Sequence, residues 1–319
     1  MSNNTQCVQN FPINLFASVM GLAGLSIAYQ RYSHVFSFPS WIGFSLLALS
    51  SITFIGISII YIKKFFQYRD QVVEEFNHPV RANFFPAISI SLLLLGIAFF
   101  ELNFNLSLCL WLSGSLLHLL FTLLIIARWI TKNHEITHSN PAWFIPVVGN
   151  ILVPIVGVEF INYEFSWFFF SIGLFFWLAL FTIIFYRIIF HKPLVQKLIP
   201  TLFILIAPPA IGFLSYTKLI GSIDSFARVL LYIALFLTSL LFTMFPYFWR
   251  LKFFISWWAY TFPLCAVTIA SINAFRLLHL TFFAYASTFL LGCASFAVAF
   301  VFYKTIQAFQ QNTLCKPEE

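Results

Sequence analysis

The chain has 319 residues, 61% of them apolar and only 8% charged, with 44 phenylalanines and a formal charge of +7. A soluble domain is nearer one-quarter charged and about half apolar, so this composition excludes a water-soluble globule, a disordered chain and a disulfide-rich secreted scaffold. The basic excess gathers on no single polar face, so no nucleic-acid partner is expected.

Asp, Glu, Lys and Arg are absent from ten long runs: 1–30, 32–62, 82–100, 102–127, 136–158, 165–186, 198–217, 229–249, 253–275 and 277–303. A helix needs about 20 residues to cross the hydrocarbon layer, and within lipid each backbone polar group must be paired inside its own segment. The runs therefore predict an all-α integral membrane protein of ten helices, near 11–30, 40–62, 83–101, 105–130, 141–159, 164–188, 200–219, 225–249, 252–275 and 279–304. Together they take up the length of a single transmembrane domain, 1–319. The first run lacks a basic start and exceeds a signal peptide's apolar core, so it reads as a retained helix.

Lys63, Lys64, Arg69, Arg81, Arg128, Lys132, Arg187, Lys192, Lys197, Arg250, Lys252, Lys304 and Lys316 fall in alternate loops or after the last span. The opposite loops hold only Arg31, Lys218, Arg228 and Arg276. By the positive-inside rule both termini are expected in the cytoplasm, in an inner (plasma) membrane of bacterial type.

Proline and glycine divide the spans into two kinds. The odd-numbered runs carry Pro12, Gly21 and Gly24; Pro86 and Gly96; Pro146, Gly149, Pro154 and Gly157; Pro208, Pro209 and Gly212; and Pro263. The even-numbered runs are smoother and bulkier. Pro12, Pro86, Pro146, Pro208 and Pro263 recur roughly every sixty residues, the period of a repeated helical hairpin. Proline removes a helical hydrogen bond, and a freed carbonyl in a membrane must face protein or a water-filled cavity. Five hairpins around a central pore follow, with broken odd helices inside and even helices outside. Gly21, Pro86, Pro146, Gly149, Pro208 and Pro263 are the candidate pore-lining or helix-break residues.

No Asp, Glu, Lys or Arg lies near the middle of a span, so the path is expected to be neutral and suited to conduction. Glu101, Glu159, Glu164 and Asp224, at span ends, read as solvated carboxylates. His118 is the one intramembrane candidate for proton relay, and a structural histidine is the simpler reading. His134-Glu135-Ile136-Thr137-His138 matches the HExxH zinc signature, but Pro141 follows closely and leaves little room for the helix that signature needs. A polar loop is expected there, with no metal, cofactor or enzymatic role. The segment 63–81 reads as a surface helix with apolar residues at 65, 66, 72, 73 and 76 and a solvated charged face. Cys7, Cys109, Cys265, Cys293 and Cys315 form no CxxC pair, and the three inside predicted spans, Cys109, Cys265 and Cys293, read as small apolar packing residues.

HPVRANFF at 78–85, NPAWFIPVVGN at 140–150, IAPPA at 206–210 and WWAYTFPLCAVTIAS at 257–271 resemble the tellurite-resistance/dicarboxylate transporter family within the voltage-dependent anion channel superfamily. The last motif is most similar to the slow anion channels of plant guard cells. The resemblance, from Phe11 to about Tyr303, implies five hairpins around one pore per subunit of a homotrimer, plugged by the phenylalanine at position 262. The sequence departs from the family pattern at Val19 and Ile88, where prolines are expected. Two functions are implied. One is passive conduction of small monovalent anions such as chloride and nitrate, gated by Phe262. The other is carriage of dicarboxylates or oxyanions (malate, sulfite, tellurite), possible with proton coupling.

Overall fold

A computed structural model describes residues 7–311 and, among them, contains helices and no strands. Cys315 and Lys316 lie outside the described residues. Among the described residues, ten helices are long and apolar enough to cross a membrane. They are α1 (Ile13–Phe36), α2 (Trp41–Gln67), α3 (Arg81–Phe99), α4 (Phe104–Thr131), α5 (Pro141–Phe160), α6 (Tyr163–Phe190), α7 (Gln196–Ile220), α8 (Ser225–Thr243), α9 (Ile255–Leu278) and α10 (Thr281–Gln310). Helix α8 stops short of the expected 249: Met244 ends it, and Pro246 opens a separate short helix, Phe245–Trp249. Proline is favoured at a first turn, where its missing N–H costs nothing.

Consecutive spans pair as hairpins, and the odd spans close a ring in which α1 touches α3, α3 touches α5, α5 touches α7, α7 touches α9 and α9 returns to α1. The turns on the far side, opposite the start of the chain, are tight for local reasons. Asn103, Asn162 and Asp224 cap α4, α6 and α8 by accepting from the backbone N–H of Leu106, Phe165 and Ala227. The Ala227 N–H, with the Tyr216 hydroxyl beside it, holds the Asp224 carboxyl below its ordinary range. Gly221, at φ 73°, ends α7 in the left-handed conformation that glycine adopts without a Cβ penalty.

The predicted break positions divide between regular helix and changes of helix type: Pro86, Gly149 and Pro208 stand at such changes, and Gly21 and Gly24 do not. Helix α1 runs as unbroken α-helix from Phe16 to Phe36 through Gly21 and Gly24, and Pro263 sits inside the first α-turn of α9. What the five share is a 3-10 opening on the near side: Ile13–Leu15, Arg81–Phe84, Pro141–Phe144, Gln196–Ile206 and Ile255–Tyr260. A 3-10 run as long as Gln196–Ile206, with Pro200 inside it, is uncommon and marks a segment shaped by its tertiary surroundings. Helix α5 alone alternates repeatedly, as α-turns at Ile145–Val148 and Pro154–Phe160 flank a 3-10 turn at Gly149–Leu152.

The near-side segment after α2 corrects the solvated-helix expectation. The chain bends at Tyr68 and forms a short helix, Arg69–Asn77. Lys64 and Glu75 are buried and form an ion pair at 2.8 Å. The Lys64 ammonium also donates to the Phe11 carbonyl, while Glu75 accepts from the Ile13 N–H and the Tyr61 hydroxyl. With both carboxylate oxygens accepting and the ammonium donating twice, the pair ties the short helix to the start of α1. Phe65, Phe66 and Val73 are exposed while Val72 is buried, so the five apolar positions do not share one face.

Candidate functional site

The ring of odd helices encloses two cavities approached from opposite sides. The near cavity, of about 70 Å³, is lined by residues from the first halves of the odd spans, among them Ala17, Ala87, Gly149, Pro208 and Pro263. The far cavity, of about 430 Å³, is lined by residues from their second halves. Three residues line both: Leu152 of α5, Ile211 of α7 and Phe262 of α9. These large apolar side chains, 2%, 5% and 9% exposed, form the partition between the two spaces. A wall of this kind excludes water and ions by volume and by keeping the constriction dry.

Local structure places Phe262 in that wall. Its ring lies over Gly24 of α1: a Cβ built on that glycine would come within 3.1 Å of the ring edge. Gly21 makes a similar allowance one turn earlier, where an added Cβ would meet the Thr261 side chain at 2.2 Å. The two glycines let the backbones of α1 and α9 approach closely, as small residues do between membrane helices.

The other predicted positions divide. Gly149, Pro208 and Pro263 line the near cavity, whereas Gly21, Pro86 and Pro146 do not. Pro86 caps the α-helical part of α3, and its carbonyl accepts from the Ser89 hydroxyl. The Pro146 carbonyl accepts from the Thr122 hydroxyl of α4. A polar network thus stitches the irregular part of α5 to its neighbours: the Asn150 amide donates to Thr122 Oγ1 and to the Val147 carbonyl. His118 belongs to this network. Its Nδ1 lies 2.9 Å from Ser89 Oγ, and the ring fills the space beside Gly149, where an added Cβ would fall 2.4 Å from Cε1. His118 therefore faces inward from an outer helix and packs behind the cavity wall.

The far cavity overturns the expectation of a path without fixed charge. Arg31, Lys218 and Arg276 line it, with Glu101 and His34. Glu101 is no isolated solvated carboxylate: it sits 3.2 Å from the Arg31 guanidinium and 2.6 Å from His34 Nε2. Lys218 lies 3.6 Å from Glu159. Arg276 has no carboxylate within ion-pair distance among the described residues; it donates to Asn273 Oδ1 at 3.0 Å, and the Asn273 amide donates to Thr217 on α7. This amide relay holds one uncompensated cation at the mouth. The sequence signal was present but counted otherwise: Arg31 and Arg276 sit at the far ends of odd spans and served only as topology markers.

The HExxH stretch folds as a loop with one 3-10 turn, Ile136–His138, and the His134 ring stands edge-on to Trp143 with centroids 5.7 Å apart. Among the described residues no group of three or more His, Cys, Asp or Glu could hold a metal ion.

A ring of irregular helices enclosing two opposed cavities defines a membrane conduit of the helical channel class. The chain belongs to the voltage-dependent anion channel family, SLAC1, whose profile matches residues 10–306. It is similar to the S-type anion channel SLAH2 of Arabidopsis thaliana, with 30% identity over 275 residues covering 82% of this chain and 52% of that protein. An uncharacterised transporter of Methanocaldococcus jannaschii, MJ0762, is 28% identical over 298 residues, 83% of this chain and 85% of its own. A tellurite resistance protein TehA homolog of Haemophilus influenzae is 25% identical over 259 residues, 80% and 79% of the two chains. The chain spans about half the length of the plant relatives it matches. The family is one of anion channels and transporters, not enzymes, and this chain is an integral membrane protein by family and by its ten apolar helices.

Proposed function

We propose that this protein is a passive conduit for small monovalent anions, chloride and nitrate among them, closed at Phe262. The observation that carries this reading is the meeting of two cavities at one apolar wall, with Phe262 resting on a glycine that leaves its ring room. Arg276 raises the anion concentration at the far mouth, while Leu152, Ile211 and Phe262 supply the barrier. With no charge at the wall, stripping water from the anion dominates the cost of passage. Nitrate and iodide are then expected to pass more readily than chloride, and fluoride least. The path serves one subunit, and family resemblance supports assembly as a homotrimer.

Liposome flux with chloride, nitrate and malate, with and without a pH gradient, tests the proposal. Flux of chloride and nitrate without a gradient is expected. A requirement for the gradient, with malate carried best, would replace the channel with a proton-linked carrier of dicarboxylates.

A further inference from the structure

Helices α8, α9 and α10 leave a groove of about 390 Å³ open on the outside of the ring, sharing no lining residue with either cavity. Helix α8 ends at Thr243, and the short Phe245–Trp249 helix beyond it contributes Phe245, Phe248 and Trp249 to the groove. Phe242, Trp257, Cys293, Ala297 and Phe300 form its walls and floor. Tyr260 also lines it, packed edge-on against Phe203 at 4.8 Å and Phe248 at 5.9 Å. The Tyr260 hydroxyl is buried and has no hydrogen-bond partner among the described residues. A buried hydroxyl without a partner is costly, which points to an acceptor that the chain does not itself supply.

The rim is basic. Arg250 and Lys252 are exposed directly after the groove-lining Trp249, and the Lys252 carbonyl accepts from the Trp257 indole N–H. Lys304 stands over the Phe300 ring with its ammonium 5.8 Å from the centroid. None of the three has a carboxylate within ion-pair distance among the described residues, and the sequence holds no Asp or Glu from 225 to 317. We infer that this groove binds an anionic phospholipid. One acyl chain lies along the aromatic floor, the phosphate sits among Arg250, Lys252 and Lys304, and the Tyr260 hydroxyl donates to an ester oxygen of the glycerol. Uncompensated cations at a membrane-facing rim favour phosphate over the apolar face of a second copy. The site also touches the proposed gate. Tyr260 and Leu264 line the groove, while Phe262 between them lines the cavities, so the lipid packs against the back of the helix that carries Phe262.

Native mass spectrometry of the detergent-purified protein, with phosphatidylglycerol or phosphatidylcholine added at equal concentration, tests the assignment. Phosphatidylglycerol adducts are expected to exceed phosphatidylcholine adducts by at least about fivefold, roughly what one cation contributes beside an anionic headgroup. Replacing Arg250, Lys252 and Lys304 together by Gln should bring the two lipids level, whereas Arg228→Gln, on the far side, should leave the preference intact. Ala297→Trp, which fills the floor, should lower both adducts. Equal binding of the two lipids by the wild type, or an unchanged preference in the triple variant, would overturn the inference. So would Ala297→Trp changing only the subunit stoichiometry, since that outcome assigns the groove to a second copy. These surface substitutions leave the core alone, and the mass measurement stands whether or not Phe262 proves to be the gate.

Discussion

The odd and even spans are made of nearly the same material, with mean hydropathies of 1.3–2.0 and 1.8–2.4, yet 67–89% of the odd-span windows are buried against 22–39% of the even ones. Their glycines show what that difference means. On α10, Gly292 faces open space, and so does Gly56 on α2. On α1 and α5, Gly21, Gly24 and Gly149 are each pressed by a side chain from a neighbouring helix. On the even spans Gly114 and Gly173 are pressed as well, by Leu93 of α3 and Ile151 of α5, so the same residue is filler where it faces outward and a spacing device where it meets an odd helix. Hydropathy alone cannot tell the two rings apart, because lipid and the protein interior are about equally apolar.

The largest effect that can break this comparison lies at the wall. Phe262→Ala is expected to raise anion conductance at least about tenfold, since a barrier reduction of about 1.4 kcal/mol suffices for that factor. Phe262→Leu should fall between, because it retains part of the apolar volume. Phe175→Ala, on an exposed position of α6, should leave conductance unchanged. Bilayer recordings of the three variants decide the matter, and wild-type current from a well-folded Phe262→Ala would remove Phe262 from the gate.

Alanine in place of glycine sharpens the contrast between rings. Gly149→Ala forces a methyl into the His118 ring and should cost about 1–3 kcal/mol, the usual range for overpacking. Gly292→Ala meets nothing and should be neutral or stabilising by up to about 1 kcal/mol through helix propensity. Thermal unfolding midpoints in detergent should therefore move in opposite directions; a common shift would mean that both glycines sit in equivalent surroundings.

Arginine offers a smaller contrast. Arg276→Gln should lower chloride flux about threefold at low ionic strength by weakening the attraction of the far mouth. The loss should fade near 1 M salt, where the screening length is about 3 Å. Arg228→Gln, on the exposed start of α8, should have no effect at either salt concentration. A salt-independent loss in Arg276→Gln would show that the residue supports the fold and does not attract ions.

The smallest effect concerns the entrance to α3. His78 Nδ1 accepts from the backbone N–H of Val80 and Arg81 at 3.1 and 3.2 Å. Partial burial, with the positive charges of Arg81, Lys197 and His138 around it, holds the imidazole below its ordinary value. Above about pH 6.5 the ring is neutral in both folded and unfolded chains and makes no pH-dependent contribution. As the pH falls below that value the unfolded chain binds the proton first, so stability declines until the folded ring is protonated too. Midpoints measured from pH 8 to 5 should fall more for wild type than for His78→Asn, which keeps an acceptor without the titration. Parallel curves would exclude His78.

Ten charge-free runs, hairpin pairing and the division into two kinds of helix were all legible in the primary structure, because a bilayer forbids charge and unpaired backbone over a length that can be counted. Phe262 was legible through the WWAYTFPL motif and the proline that follows it. Arg276 was missed because a cation at a span end looks the same whether it marks topology or faces a cavity. His118 was visible only as an odd residue in an outer helix; that its ring lies behind Gly149 depends on two hairpins meeting.

What the sequence determined by itself was therefore the membrane, the number of crossings and the places where small or kinked residues had to be accommodated. Only the tertiary structure decided that α1 runs unbroken through Gly21 and Gly24, while α5 and α7 change helix type beside Gly149 and Pro208. The other departures are taken up as 3-10 turns on the near side, and neighbouring helices bond to the irregular backbone, as Thr122 of α4 does at the Pro146 carbonyl. Closure of the ring likewise brought Leu152, Ile211 and Phe262 from three separate spans to one wall. The charge and hydropathy of one segment cannot specify such a meeting, since it depends on how five helices share the space between them.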